Sequence, residues 1–281
     1  MSYGPNPWVQ QHWDFRAAMN FIGGGAGCGL VIAAVLAEGP RMLQVASLLL
    51  ALALIGIGLL HVWAEIGRPW RALNVFINPG QSWMSREAWV APWLMASGAL
   101  AAFVWPAAGW LAALLAAAFL YCQARILQAS KGIVAWREPR IIPLIVITGL
   151  VEGLGLYLLL AVFWGGADPG LWLVFGALLP LRLLAGQRWR LALASGRTPA
   201  RTLQSCDDAL RVLHGGSLSA LVLVTLALLV PMHGTPLAIL QVLAGAVAML
   251  SGAVFKFLLV TRAAFNQGFA LPHLPVRGVR R

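Results

Sequence analysis

The sequence predicts an all-α integral membrane protein, a bundle of eight transmembrane helices that forms a single transmembrane domain. Of the 281 residues, 60% are hydrophobic and only 10% are charged, whereas a soluble domain carries about 25% charged residues. Because one span takes ~20 mostly apolar residues, eight spans would use about 160 residues and leave no room for a separate globular domain. A water-soluble enzyme is not expected on these grounds. The formal net charge of +11 is expected to encode membrane orientation rather than nucleic-acid binding.

Eight apolar runs, each bounded by charged residues or proline, predict the individual spans. They cover residues 17–37, 42–65, 88–105, 108–127, 141–163, 169–187, 212–232 and 236–261. Each run is continuously apolar, whereas the strands of a membrane barrel alternate over about ten residues. The spans are therefore predicted to be helices.

The basic residues predict the orientation of these spans. An even number of spans places both termini and the second, fourth and sixth connections on one side. All of the 20 Lys and Arg residues except Arg41 fall on that side, counting those near helix ends. Since cytoplasmic loops carry the excess of Lys and Arg, both termini are predicted to be cytoplasmic. The expected location is the inner membrane of a bacterium.

Metal and haem binding by this chain are not expected. Cys28, Cys122 and Cys206 lie far apart and form no CxxC pair, and an iron–sulfur cluster needs four cysteine ligands or a close variant. A haem held by two histidines needs two imidazoles at matched depth, and only His61 and His214 lie in or near the spans, which allows one such haem and excludes two. Any iron–sulfur cluster is expected on a partner subunit.

Two polar positions inside the spans are candidate functional sites, because intramembrane polar groups are costly. Asn20 precedes the small-residue stretch GGGAGCG, and its amide either binds a ligand or joins two helices. Glu152 lies in the middle of the fifth predicted span and needs a cation or a proton. Arg182 and Lys256 are the candidate cations, and the carboxylate forms either a structural ion pair or a proton relay.

Three further candidates lie at the predicted cytoplasmic ends of spans. His61 and Glu65 are one helical turn apart and therefore share a face. An imidazole beside a carboxylate at the interface is suited to passing protons between water and a bound redox ligand. Tyr121 lies near the end of the fourth span, where its hydroxyl needs a partner and could bind a ligand oxygen.

The stretch HVWAEIGRPWRALNVFINPGQSWMSREAW resembles the membrane anchor subunits of the DMSO reductase and polysulfide reductase (NrfD-like) family. That family carries an acidic residue or histidine, then L-G-R-P, an R-A turn, and S-W-x-S-R-E before its third span. The matching residues are Glu65, Ile66, Gly67, Arg68, Pro69, Arg71, Ala72, Ser82, Trp83, Ser85, Arg86 and Glu87. The number of spans extends the resemblance over the whole chain.

The resemblance implies a quinone-reactive anchor without haem, using ubiquinone or menaquinone. It implies two partners, a four-cluster iron–sulfur subunit and a catalytic subunit that carries a molybdenum or tungsten bis-pterin. Asn20 and Tyr121 match the family's quinone contacts, and Glu65 with His61 would handle protons. The loop that carries Arg68, Arg71, Trp83, Arg86 and Glu87 would dock the iron–sulfur subunit on the cytoplasmic face.

Within the family, the opening YGPNPWVQQHWDFRAAMNFIGGGAG looks most like the membrane subunits of enzymes that oxidise phenylacetyl-CoA. This implies a cytoplasmic substrate, in agreement with the predicted docking face. A transporter or channel with a midplane site at Glu152, Arg182 and Lys256 is the alternative, although no internal repeat is evident. A purely structural anchor is a third interpretation.

Overall fold

The structure, a computed structural model, describes residues 6–66, 69–165, 168–196, 198–230 and 234–268. Over these residues the regular secondary structure is helical, and two isolated β-bridges occur besides. The α-helices are α1 (Phe15–Leu36), α2 (Arg41–Glu65), α3 (Trp83–Phe103), α4 (Ala108–Ala129), α5 (Val134–Arg137), α6 (Ile141–Ala161), α7 (Pro169–Ser195), α8 (Ala200–Leu229) and α9 (Thr235–Thr261). Short 3-10 helices cover Pro69–Phe76 and Val162–Trp164. The predicted fold class is confirmed as all-helical.

Seven of the described helices are long and apolar enough to cross a bilayer, so the protein is a multi-pass membrane protein. They are α1, α2, α4, α6, α7, α8 and α9. Helix α3, which contains the predicted 88–105 span, is not among them. It has 21 residues and is therefore about 32 Å long. Its tryptophans, together with Arg86 and Glu87, lower its mean hydropathy.

Two helices continue well beyond the predicted spans. Helix α7 runs to Ser195 and α8 begins at Ala200, whereas the apolar pattern predicts 169–187 and 212–232. Charged residues end the apolar run without ending the helix, because Arg and Asp are tolerated on a solvated helical surface. Arg190 and Asp207 pair across these extensions, with 2.9 Å between Nη2 and Oδ2, and join α7 to α8.

Helix α1 lies at the centre of the bundle and contacts α2, α4, α6 and α9. Its glycines make this position possible. Gly25 and Gly29 face Gly149 and Gly153 of α6, so a GxxxG pair meets a GxxxG pair. A Cβ atom on Gly153 would collide with the backbone of Gly29. Small residues at four-residue spacing allow membrane helices to approach this closely, so these glycines serve the packing of α1 against α6.

The two ends of the described chain meet at one end of the bundle. Val9 forms a β-bridge with Phe265, and Ile133 forms one with Asn266. The ring of Trp13 stacks on Trp136 with 5.0 Å between centroids. We refer to this end, built by residues 6–14, 69–82, 130–140 and 262–268, as the terminal face.

Helix α3 runs antiparallel to α2 and is held at both of its ends. At the terminal face, the indole of Trp89 donates to the carbonyl of Phe76, at 3.1 Å. At the opposite end, the carbonyl of Ala102 accepts a hydrogen bond of 2.9 Å from Arg41, the first residue of α2. Ser82 caps α3 by accepting from the backbone N–H of Ser85, a usual N-cap interaction.

Candidate functional site

A cavity of about 640 Å³ opens at the terminal face between α1, α2, α3 and the 3-10 helix Pro69–Phe76. Its lining is apolar and aromatic except for Asn20, Glu65 and Glu87. Trp70, which is 86% exposed, lies on its outer wall. A mostly apolar space with a few convergent polar groups is the usual form of a small-molecule site.

The 3-10 helix and α3 together build one wall of the cavity. Phe76 packs edge to face against Trp89, with 5.5 Å between ring centroids, and its carbonyl accepts from the same indole. These contacts hold the 3-10 helix against α3 and place Leu73 and Phe76 on the cavity side.

Asn20 and Glu87 form the inner polar end of the cavity. The amide nitrogen of Asn20 donates to Oε1 of Glu87 at 3.3 Å, and each residue is 5% exposed. Gln123, fully buried on α4, donates to the backbone carbonyl of Asn20 at 2.8 Å and holds this turn of α1 in place. The Oδ1 atom of Asn20 has no hydrogen-bond partner in the described part of the chain. A buried acceptor of this kind is available to a donor on a ligand.

Glu65 lies at the outer end of the same cavity, where α2 ends. Beside it, Arg16 donates to the carbonyl of Ala64 at 3.2 Å and pairs with Asp14, with 2.9 Å between Nη2 and Oδ2. The hydrogen bond from the Arg16 side chain lowers the pKa of Asp14 below its usual value. Partly exposed charged side chains therefore border the mouth of the cavity.

The structure brings Asn20 and Glu65 to the cavity but not His61 or Tyr121. Nδ1 of His61 lies 2.8 Å from the carbonyl of Ile57, and its ring meets the edge of Phe15. The hydroxyl of Tyr121 accepts from Arg125 at 2.8 Å, and the tyrosine is 42% exposed. Neither side chain lines the cavity.

Four of the five predicted docking residues lie in the described part of the chain, and Arg68 lies outside it. Arg71 is exposed on the 3-10 helix. The guanidinium groups of Arg86 and Arg125 stack on the Trp83 ring, at 4.0 and 4.3 Å from its centroid. This arrangement leaves a basic and aromatic surface beside the cavity.

Glu87 differs from the other docking residues, because its carboxylate is buried in the cavity instead of lying on the loop surface. The sequence does contain a signal for this position. Glu87, Ala91, Leu94 and Gly98 recur at four- and three-residue intervals, which places them on one helical face, and all four are buried. The loop motif predicts Glu87 at the docking surface, whereas the buried face of α3 brings it into the cavity.

Glu152 pairs with Lys256 in the middle of the bundle. Oε2 of Glu152 lies 2.5 Å from the Lys256 ammonium, and both side chains are fully buried. Lys256 also donates to the carbonyl of Phe21 at 2.9 Å. The Arg182 guanidinium instead donates to Ser217, Ser251 and the carbonyl of Ala248. Lys256 is thus the cation that Glu152 contacts.

Metal-ligating side chains do not converge in the part of the chain that the structure describes. No group of three or more His, Cys, Asp or Glu residues there is arranged to hold a metal ion. Cys28, Cys122 and Cys206 are each buried as free thiols.

Comparison with known proteins gives no assignment for this site, because no protein-family profile and no curated protein matches the chain.

Proposed function

We propose that the protein is the quinone-reactive membrane anchor of a molybdenum or tungsten bis-pterin oxidoreductase of the NrfD-like family. It exchanges electrons between the quinone pool and a partner iron–sulfur subunit. The observation that carries this proposal is the apolar cavity of about 640 Å³ with Asn20 and Glu87 at its inner end. Ligand sites of this kind enclose roughly 300–1,000 Å³.

In this proposal the quinone ring occupies the cavity, with one ring oxygen near Asn20 and Glu87. The free Oδ1 of Asn20 accepts from a quinol hydroxyl, and a quinone carbonyl accepts from the amide nitrogen or from a protonated Glu87. The aromatic and aliphatic lining excludes water from the ring. The isoprenoid tail leaves towards lipid between α2 and α3.

We further propose that α3 is the eighth span and that the terminal face is cytoplasmic. The bridge between Val9 and Phe265 supports an even number of crossings, because an odd number would leave the two ends of the chain on opposite sides. The contact of α3 with Arg41 at the far end of α2 supports a full crossing. The excess of Lys and Arg at the terminal face supports its cytoplasmic orientation in a bacterial inner membrane.

The partner iron–sulfur subunit docks on the terminal face in this proposal. Arg71, Arg86 and Trp83 lie beside the cavity, so a cluster bound there would be close to the quinone. Tyr121, bonded to Arg125 next to Trp83, joins this docking surface, and His61 links Glu65 to water. The resemblance of the opening segment supports phenylacetyl-CoA as the substrate of the catalytic partner.

A transporter with a midplane site at Glu152 is the second candidate. Its support is the second carboxylate oxygen of Glu152, Oε1, which is buried without a partner among the described residues. Glu152→Gln should abolish solute uptake into proteoliposomes if this candidate is correct. Under the quinone proposal the same variant keeps most quinone-linked turnover, because Glu152 lies outside the cavity lining.

The quinone proposal is tested by filling the cavity in the purified native complex. Ala88 lines the cavity, whereas Ala96 lies exposed on the same helix, so Ala88→Phe and Ala96→Phe form a matched pair. Quinone content is measured by solvent extraction, and the Kd by tryptophan quenching with a short-chain ubiquinone or menaquinone. We expect Ala88→Phe to weaken binding tenfold or more and Ala96→Phe to bind like the wild type. Equal binding by both variants, or a wild-type complex without quinone affinity, would reject this site.

A further inference from the structure

We infer that Glu87 is the carboxyl group that exchanges a proton with the bound quinone, and that Glu65 connects it to water. The inference rests on the proposed quinone site and adds a proton route to it. The two carboxylates line the same cavity, with Glu87 buried and Glu65 partly exposed. Glu87 lies at the buried end beside Asn20, and Glu65 lies at the mouth beside the Asp14–Arg16 pair.

The surroundings of Glu87 make its charge dependent on the ligand. Its hydrogen bond comes from the neutral Asn20 amide, and the ion pairs within the described residues do not include it. A carboxylate buried without a cation is costly. Protonation neutralises Glu87 and removes that cost. We therefore expect Glu87 to take up or release a proton as the quinone changes its charge.

Each element packed around Glu87 presents an uncharged group or another acid. Helix α1 contributes Asn20, and α4 contributes Gln123 and the thiol of Cys122. Helix α2 contributes Glu65 at the cavity mouth. On α3 itself, Arg86 turns away to the carbonyls of Pro79 and Gly80. The described neighbours therefore provide no permanent positive charge to hold Glu87 ionised.

The unpaired Oδ1 of Asn20 is an independent observation that points to the same ligand atom. Asn20 is 5% exposed, lines the cavity and has its nitrogen engaged by Glu87. A ring oxygen placed between the two side chains would contact the carboxyl of Glu87 and the amide of Asn20 together. Asn20 is thus a positioning residue, and Glu87 is the group that moves the proton.

The proton and electron balance is that of a two-electron quinone couple. In the direction of reduction, two electrons arrive singly from the partner iron–sulfur cluster. The O–H bond of protonated Glu87 breaks, and its proton forms a new O–H bond on the near ring oxygen. The far oxygen takes its proton from water at the cavity mouth, and Glu65 returns a proton from water to Glu87. Quinol oxidation follows the same steps in reverse.

The test compares Glu87→Gln, Glu87→Asp and the exposed control Glu38→Gln in the intact complex. We expect Glu87→Gln to bind quinone with a Kd within about threefold of the wild type while its turnover falls at least ~100-fold, the usual size of a general acid–base contribution. Glu87→Asp should restore most of the turnover with a shifted pH profile, and Glu38→Gln should match the wild type. Glu87→Gln turnover within threefold of the wild type, with an unchanged pH profile, would overturn the inference. A wild-type complex that binds no quinone would instead reject the proposed function.

A second measurement uses the wild-type complex and so does not depend on the folding of a variant. Infrared difference spectra are recorded as the bound quinone is reduced and reoxidised, in H₂O and in D₂O. The expected signal is a C=O band of a protonated carboxylic acid that changes with the quinone and shifts in D₂O. The absence of any such band would overturn the inference.

Discussion

At the residue scale, the protein holds two deeply buried carboxylates in different ways. Glu152 contacts the Lys256 ammonium at 2.5 Å, so its charge is balanced inside the bundle. Glu87 receives a hydrogen bond from a neutral amide and borders a cavity. The first arrangement stabilises a fixed charge, whereas the second suits a group whose proton comes and goes.

The Glu152–Lys256 pair is expected to stabilise the fold rather than to take part in quinone chemistry. Lys256→Met should lower the free energy of unfolding by about 3–5 kcal/mol, because it leaves a buried carboxylate without its cation. Thermal unfolding in detergent, followed by the loss of tryptophan signal, measures this as a lower Tm. The double variant Glu152→Leu/Lys256→Met should recover much of the loss, since no unpaired charge remains.

An exposed ion pair is the control for this prediction. Asp208→Asn breaks the pair of Asp208 with Arg211, whose side chains are 55% and 75% exposed. Its Tm should stay within measurement error of the wild type, because solvent screens such pairs. A Lys256→Met variant that unfolds at the wild-type temperature would contradict the predicted cost of leaving the Glu152 carboxylate without its cation.

At the element scale, glycine spacing decides how α1 packs in the bundle. Gly25 and Gly29 on α1 and Gly149 and Gly153 on α6 leave no space for a side chain at the crossing. The close approach also places Phe21, one residue after Asn20, where its carbonyl meets Lys256 of α9. The depth of Asn20 beside the cavity therefore depends on this helix contact.

Gly153→Ala should force α1 and α6 apart and destabilise the protein by about 1–3 kcal/mol, the usual cost of overpacking. Gly56→Ala on α2 is the matched control, because an added Cβ there meets only the end of the Met95 side chain, at 3.9 Å. We expect a lower Tm and weaker quinone binding for Gly153→Ala alone. Equal Tm values for the two variants would contradict the packing role assigned to the crossing.

At the scale of the whole molecule, the paired ends of the chain constrain its topology. Residues 6–14 and 262–268 meet at the terminal face through the bridge of Val9 with Phe265 and a backbone hydrogen bond of 2.9 Å from Gln10 to Ala264. Seven of the helices in the described part of the chain have the length and hydropathy expected of spans, and seven crossings would separate these ends. The eighth crossing that we propose for α3 would remove the conflict.

Cysteine labelling measures whether α3 crosses the membrane. Gln81 and Ala107 are exposed residues just before α3 and just before α4. In cells, a membrane-impermeant maleimide should label Ala107→Cys from the periplasm and should label Gln81→Cys only after the membrane is permeabilised. The native cysteines are buried, and the unmodified protein serves as the background. Labelling of both positions from the same side would show that α3 does not cross.

The site was predictable from the sequence only in part. Asn20 and Glu65 are recognisable because polar residues stand out in apolar spans, and both line the cavity. The loop motif assigns Glu87 to the docking surface, because a local motif does not show which face of α3 turns inward. His61 and Tyr121 are polar residues towards the C-terminal ends of α2 and α4, near the site. The rotation of these helices about their axes directs both side chains away from the cavity.

The sequence by itself determined that the chain is helical and crosses a membrane repeatedly, and its basic residues predict which side each loop occupies. Those properties follow from hydropathy and charge, which are summed along the chain and need no knowledge of contacts. Only the tertiary structure decided that Lys256 pairs with Glu152, and that Asn20, Glu65 and Glu87 share one cavity. These outcomes depend on how each helix is rotated about its axis and on which helices it contacts. For helices that are apolar on every side, close packing decides both.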